Sequence, residues 1–242
     1  MDLNRANRQC CDLDIRDYKT NAPILFVDFC NTTTAGFTGD NVYANIKGSK
    51  AIAFHNPIEG TMTIEFQCHP FKVYALLSDG VIETNGIDTV KLEVTATEEG
   101  KLTLTGTPKE GTVFVYKDGE WGESEIKGSV ASGVFTAATA DDIVAGETYL
   151  VGYLEEKSAG VRKVSFNNKK VPKDLRLSMQ TLDKDENGDL IPCKLTAYKA
   201  SPQRSLDLSF ASDSDPTSIT MTFNCLEDAN GNVMDIMEIK EA

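Results

Sequence analysis

No apolar run in this chain approaches the ~20 residues that a membrane-spanning helix needs. The amino terminus, Met1 to Arg16, is polar and charged, with no apolar signal segment. The expectation is a protein made and kept in a cytosol, without a membrane partner. Positive charge is scarce: 24 Lys and Arg stand against 37 Asp and Glu, a net charge of −13. Nucleic acid is held mainly by cations that neutralise phosphates, so this balance argues against a sequence-reading binder. An anionic lipid surface is disfavoured for the same reason. Histidine is rarer still, with two residues, His55 and His69. Neither belongs to a zincin helix motif, a triad signature or a metal-ligand spacing, and both read as structural. No glycine-rich phosphate loop occurs. These gaps point away from an enzyme and from a resident metal or cofactor.

The six cysteines, Cys10, Cys11, Cys30, Cys68, Cys193 and Cys225, are scattered through 242 residues. They lack the repeated two-to-four-residue spacing of a zinc site and read as free thiols in a reduced compartment. The segment Asp183-Lys-Asp-Glu-Asn187-Gly188 opens like a calcium loop, but Lys194 stands where the bidentate glutamate belongs. It reads instead as a charged hairpin turning at Asn187-Gly188. Asn31-Thr32-Thr33 fits a glycosylation acceptor that has no route to modification in a cytosol. The acidic pair Asp213 and Asp215 reads as a solvated loop.

Against this stands a pervasive period of two. Met62, Ile64 and Phe66 alternate with Thr61, Thr63 and Glu65, the pattern of a strand with one buried face. The alternation recurs at Leu206, Leu208 and Phe210 against Ser205, Asp207 and Ser209, and at Ile219, Met221 and Phe223 against Thr220, Thr222 and Asn224. Asn85-Gly86, Asp118-Gly119, Asn187-Gly188 and Asn230-Gly231 supply hairpin turn chemistry. One helix interrupts the strands. Pro70 opens it, Phe71, Tyr74 and Leu76 or Leu77 follow at helical spacing, and Gly80 stops it after about three turns. A weaker helical signal covers Ala137 to Val144.

From about Thr89 to Glu156 the strands shorten: Lys91 to Thr97, Lys101 to Thr107, Thr112 to Lys117 and Thr148 to Leu154. The first two resemble each other, and Glu98-Glu99-Gly100 between them suits a hairpin loop. This region, residues 89–159, reads as a small β module inserted into a discontinuous domain formed by residues 1–88 and 160–242. The fold class is therefore mainly β, with one short packed helix and an inserted β module.

Longer stretches match a family. His55-Asn-Pro-Ile-Glu-Gly-Thr-Met-Thr-Ile-Glu-Phe-Gln67 followed by Pro70-Phe-Lys-Val-Tyr-Ala-Leu-Leu-Ser-Asp-Gly80 resembles a strand-then-helix block of tail tube (major tail) proteins of long-tailed bacteriophages. Val171 to Leu177, the acidic hairpin, Ala200 to Phe210, Asp215-Pro216 and Leu226 to Ile236 are similar to the same family in the same order. The likeness is weaker across residues 89–156. It implies a tail-tube-type β-sandwich or partial barrel whose copies form hexameric rings, stacked into a hollow tube that conducts DNA on ejection. The implied setting is a virion tail assembled in the host cytoplasm. The implied partners are other copies of the chain, baseplate and tail terminator proteins, and a sheath if the tail contracts. DNA would pass without specific binding, and an acidic wall suits that task because it repels phosphate. Met1 to Thr20 and the loop Asn31 to Lys50 are the candidate contact segments. Two alternatives come from other classes. One is a monomeric carbohydrate-binding β-sandwich with a site around Tyr116, Trp121 and Tyr153; the other is a baseplate or decoration protein.

Overall fold

The computed structural model describes residues 3–212 and 216–239. The acidic pair Asp213 and Asp215 and the first two residues of the amino-terminal segment lie outside the described residues. The elements in chain order are β1 (Arg5–Ala6), β2 (Asp12–Asp17), β3 (Pro23–Val27), β4 (Thr32–Thr38), β5 (Asn41–Ile46), β6 (Ser49–His55), β7 (Glu59–Phe66) and α1 (Lys72–Leu76). Next come β8 (Gly86–Thr95), β9 (Lys101–Thr103), β10 (Phe114–Lys117), β11 (Gly128–Ala131), β12 (Val134–Ala137), a 3-10 turn (Ala140–Asp142) and β13 (Thr148–Lys157). The chain ends with β14 (Leu175–Asp185), β15 (Leu190–Pro202), β16 (Ile219–Leu226) and β17 (Asp235–Glu238). The fold is mainly β, and its sheets are antiparallel. Two compact units emerge: Ile82–Lys163, and the chain on either side of it.

The flanking unit is built on a nine-stranded sheet in the order β3-β2-β14-β15-β16-β7-β4, with β1 added to β14 and β17 to β15. Alternation does the work here. On β7 and β16, Met62, Ile64, Phe66, Ile219, Met221 and Phe223 point inward and are buried. Leu13 and Ile15 of β2 and Leu177 and Met179 of β14 share that cluster, so the sheet curls around one core. It does not close into a barrel: β3 and β4 end the order as open edges. Helix α1 covers the core with Val73 and Leu76, and Leu77 just beyond its end joins them. It is shorter than the three turns expected. Both ends tighten into i→i−3 turns, with the Val73 and Tyr74 N–H groups donating to the Pro70 and Phe71 carbonyls and those of Leu77 and Ser78 to the Tyr74 and Ala75 carbonyls, while Gly80, at φ +80°, closes the run at the expected place.

Several other expectations change. Ser205 to Phe210 is not a strand: Leu206 reaches the core, while Phe210 is 87% exposed. The period is present, but among the described residues no neighbouring strand offers the ladder that alternation needs. Asp207 therefore lies on a loop. Asn85-Gly86 makes no hairpin turn; Gly86 begins β8 and pairs with Lys157. The other three Gly positions do adopt positive φ.

In the middle unit β10-β13-β8 form one three-stranded sheet and β11-β12-β9 another, around Leu102, Val115, Phe135, Ile143, Tyr149 and Val151. The two similar segments expected to form a hairpin lie in different sheets, with β8 on β13 and β9 on β12. Long-range pairing overrides the local likeness because the buried faces, not the intervening turn, set the partners. The weak helical signal at Ala137 to Val144 becomes the 3-10 turn at Ala140–Asp142. One carboxylate is buried here. Glu155 accepts from the Thr107 N–H at 3.1 Å and from Lys157 Nζ at 2.7 Å. The lysine hydrogen bond, then the amide, holds its pKa below the usual carboxylate range.

Candidate assembly surfaces

Strands β4 to β7 form one long arm that folds back on itself. β4 and β7 pair from Thr32↔Glu65 to Thr38↔Glu59, and beyond a break the pairing resumes as β5 with β6. Lys47 (φ +50°) and Gly48 (φ +84°) turn it between Ile46 and Ser49, which are paired. Positive φ at both central residues is the two-residue hairpin turn that matches strand twist.

Every residue of β5 and β6 is exposed. Val42 faces Phe54 and Ala44 faces Ile52, so one side of the hairpin is an apolar strip of Val42, Ala44, Ile46, Ile52 and Phe54. Ile46 is 65% exposed and Phe54 58%. On the other side Lys50 Nζ sits 4.0 Å from the Tyr43 ring centre, and His55 Nδ1 lies 2.6 Å from Asn41 Oδ1. A two-stranded hairpin with an uncovered apolar face is marginal in water, and contiguous exposed apolar surface marks an interaction site. This segment, expected as a polar loop, is thus mostly strand. Its signal was present in the sequence as alternation on both sides of Lys47-Gly48.

The nine-stranded sheet offers two further surfaces. Its edge strand β4 reads Thr-Thr-Thr-Ala-Gly-Phe-Thr, with no charge to block pairing with another chain. Its outer face is rich in hydroxyls. Thr34, Thr63 and Thr222 lie in one row, and the Thr63 and Thr222 hydroxyls are 3.2 Å apart. Ser178 and Thr196 pair in the same way at 3.3 Å. Glu65, half-buried between Thr32 and Thr220, belongs to this face.

The remaining candidates are structural. His69 packs on Phe66 and Tyr74, with Nε2 2.7 Å from the Tyr74 hydroxyl, and its Nδ1 is buried without a partner. The calcium-like segment is the β14–β15 turn, where Asp185 Oδ1 accepts the N–H groups of Asn187 and Asp189. Among the described residues no group of three or more His, Cys, Asp or Glu could hold a metal ion. The aromatic trio divides. Tyr116 and Trp121 meet at a tilt of 57° on the outer face of β13, their ring centres 5.3 Å apart, while Tyr153 is buried in the core. Trp121 lies over Gly152, where any Cβ would strike its ring, and Lys91 Nζ sits 4.7 Å from the ring centre.

All six cysteines are free thiols. Burial pushes the pKa of Cys30 up to about 12 and that of Cys225 to about 11. The thiolate is the nucleophile, so iodoacetamide at about pH 8 should modify the exposed Cys10 and Cys68 first and leave Cys30 and Cys225 untouched. Peptide mass mapping reads this, and labelling of Cys30 as fast as Cys10 would contradict it.

A family model described as the YomU/Tube protein family matches residues 8–239. No curated protein matches the chain.

Proposed function

Since the chain belongs to the YomU/Tube protein family, we propose that it is the subunit of a bacteriophage tail tube. Copies would join into hexameric rings, and rings would stack into a hollow conduit for DNA. The observation that carries this reading is the uncovered apolar side of the β5–β6 hairpin, which only a partner can bury. The open edges β3 and β4 supply the complementary need. Ladder groups on one copy's edge are satisfied by the neighbour's, and joining sheets around a ring removes edges that would otherwise aggregate. The obligate interfaces so formed would each bury more than ~2,000 Å².

On this reading the hydroxyl row of β4, β7 and β16, with Thr34, Thr63 and Thr222, lines the lumen. Threonine and serine hydroxyls are wetted by water and carry no charge that would hold phosphate, and the net charge of −13 keeps the protein as a whole from condensing on DNA. Conduction is then passive, with no catalytic residue. Baseplate and terminator proteins would cap the two ends of the tube in a virion tail, and a sheath would surround it if the tail contracts. Negative-stain microscopy of the purified protein, with a light-scattering mass on the same sample, tests the reading. Rings or hollow tubes are expected, and a particle that stays at the 26.4 kDa of one chain at high concentration would contradict it.

A further inference from the structure

Strands β14 and β15 carry opposite charges at their two ends. At one end a bulge in the β14–β15 ladder, between the pairs Leu175↔Ala200 and Leu177↔Ala197, sets both Tyr198 and Lys199 opposite Arg176. A bulge of this kind re-aims side chains, and here it turns two consecutive residues to the outer face beside the arginine. Across the other ladder Arg176 lies directly opposite Arg16, an arrangement of like charges that costs stability. Arg176 stacks over the Tyr198 ring at 4.7 Å, and Lys199 lies 5.7 Å from the centre of the Tyr18 ring.

The acids of this end are already engaged. Asp14 pairs with Arg16 at 2.7 Å, Tyr198 donates to Asp235, and Asp174 lies 3.8 Å from Lys199. Asp228 accepts the N–H groups of Asn230 and Asn232 in its own turn. Among the described residues Arg176 has no carboxylate partner, in a chain with 37 acids for 24 bases. Its guanidinium opens on a groove of about 390 Å³ lined by Tyr18, Lys19, Asn21, Arg176, Tyr198 and Asp228.

The other end, the β14–β15 turn, carries Asp183, Asp185, Glu186 and Asp189 against Lys184. Asp185 is spent on its own turn, Asp183 takes the Asn7 amide, and one oxygen of Glu186 takes the Asn4 amide. Asp189, exposed, has no side-chain partner among the described residues. The nine residue steps from Arg176 to Asp185 separate the two ends by about 30 Å.

We propose that these ends are two halves of one head-to-tail contact, in which the Arg176 groove of one copy receives the Asp189 and Glu186 carboxylates of the next. Such a contact is heterologous and can propagate from copy to copy. It rests on the tube reading and adds the segment that stacking uses. The guanidinium is held ready by the Tyr198 ring, so little freedom is lost on pairing. DNA phosphate is the competing anion. DNA would satisfy the Arg176 groove alone, whereas a second copy satisfies both ends, its Asp189 and Glu186 entering the groove while its own groove stays open to the next copy.

The test is a charge swap in the full chain, read by sedimentation velocity at low salt, with far-UV circular dichroism confirming the fold. Arg176→Glu alone, and Glu186→Lys with Asp189→Lys alone, should each raise the concentration needed for assembly roughly tenfold or more. The three changes combined should restore it. Arg176→Gln provides a milder variant, and the turn substitutions lie on an exposed tip, so a fold lost in Arg176→Glu leaves the test standing. If the wild type assembles and every variant does so at the same concentration, the inference falls and the tube reading survives. If the wild type never assembles, both fall. Should Arg176→Glu abolish binding of a fluorescent DNA duplex with assembly unchanged, the groove is a phosphate site and the head-to-tail contact is overturned.

Discussion

A chain carrying Ile52→Glu and Phe54→Glu together is expected to fold as a single copy and to lose assembly. Both side chains lie on the apolar strip of the β5–β6 hairpin, more than half exposed, and neither belongs to a core cluster. Within the subunit only their cross-strand contacts with Val42 and Ala44 are lost. In an assembled tube the strip would be buried, at about 1.5–3 kcal/mol for each large apolar side chain. Two such losses, with two carboxylates forced into the same interface, weaken each contact at least about a hundredfold. Light-scattering mass against concentration reads the effect. Unchanged assembly would show that the hairpin faces solvent, and an unfolded monomer would show that it supports the fold.

The largest effect on the subunit itself is expected at Phe223. It is fully buried in the middle of β16, paired with Met62 on one side and Pro202 on the other. Phe223→Ala removes most of a ring from a core that the neighbouring strands hold open, so the cost should be about 3–5 kcal/mol. That is a large part of the ~5–15 kcal/mol by which a domain is stable. Urea unfolding followed by far-UV circular dichroism measures it. Phe210→Ala is the control, since a ring 87% exposed should change stability by less than about 0.5 kcal/mol. Equal effects at the two positions would contradict the placement of the core.

These two phenylalanines also show where sequence patterning carries information and where it stops. Both sit in equally clean alternation. The period states that a segment could present one apolar face, and it does not state whether a partner strand exists. For Ile219 to Phe223 the partner is β7, whose own alternation was legible at Met62 to Phe66; for Leu206 to Phe210 there is none among the described residues. The hairpin arm is the reverse case. Val42, Ala44 and Ile46 alternate as well, but polar neighbours and an exposed Lys47-Gly48 turn make the segment read as a loop, because its apolar face has no cover within one chain. A surface that is completed only by another copy leaves a weak mark on the sequence of one copy. The middle unit was legible as short strands, and their pairing was not: Lys91 to Thr97 and Lys101 to Thr107 look like hairpin partners, yet each finds its ladder far along the chain. Likewise the bulge that gathers Arg176, Tyr198 and Lys199 depends on register, which no local pattern fixes.

The central claim is that copies of this chain close their sheet edges on one another and bury the hairpin. A cryo-electron microscopy reconstruction of assemblies grown from the purified wild-type protein tests it most directly. A hollow tube is predicted, with the hydroxyl rows of Thr63 and Thr222 facing the lumen and the strip from Val42 to Phe54 covered by a neighbouring copy. Assemblies in which that strip lies in solvent, or in which the Thr63 and Thr222 face is buried against another protein layer, would contradict the account.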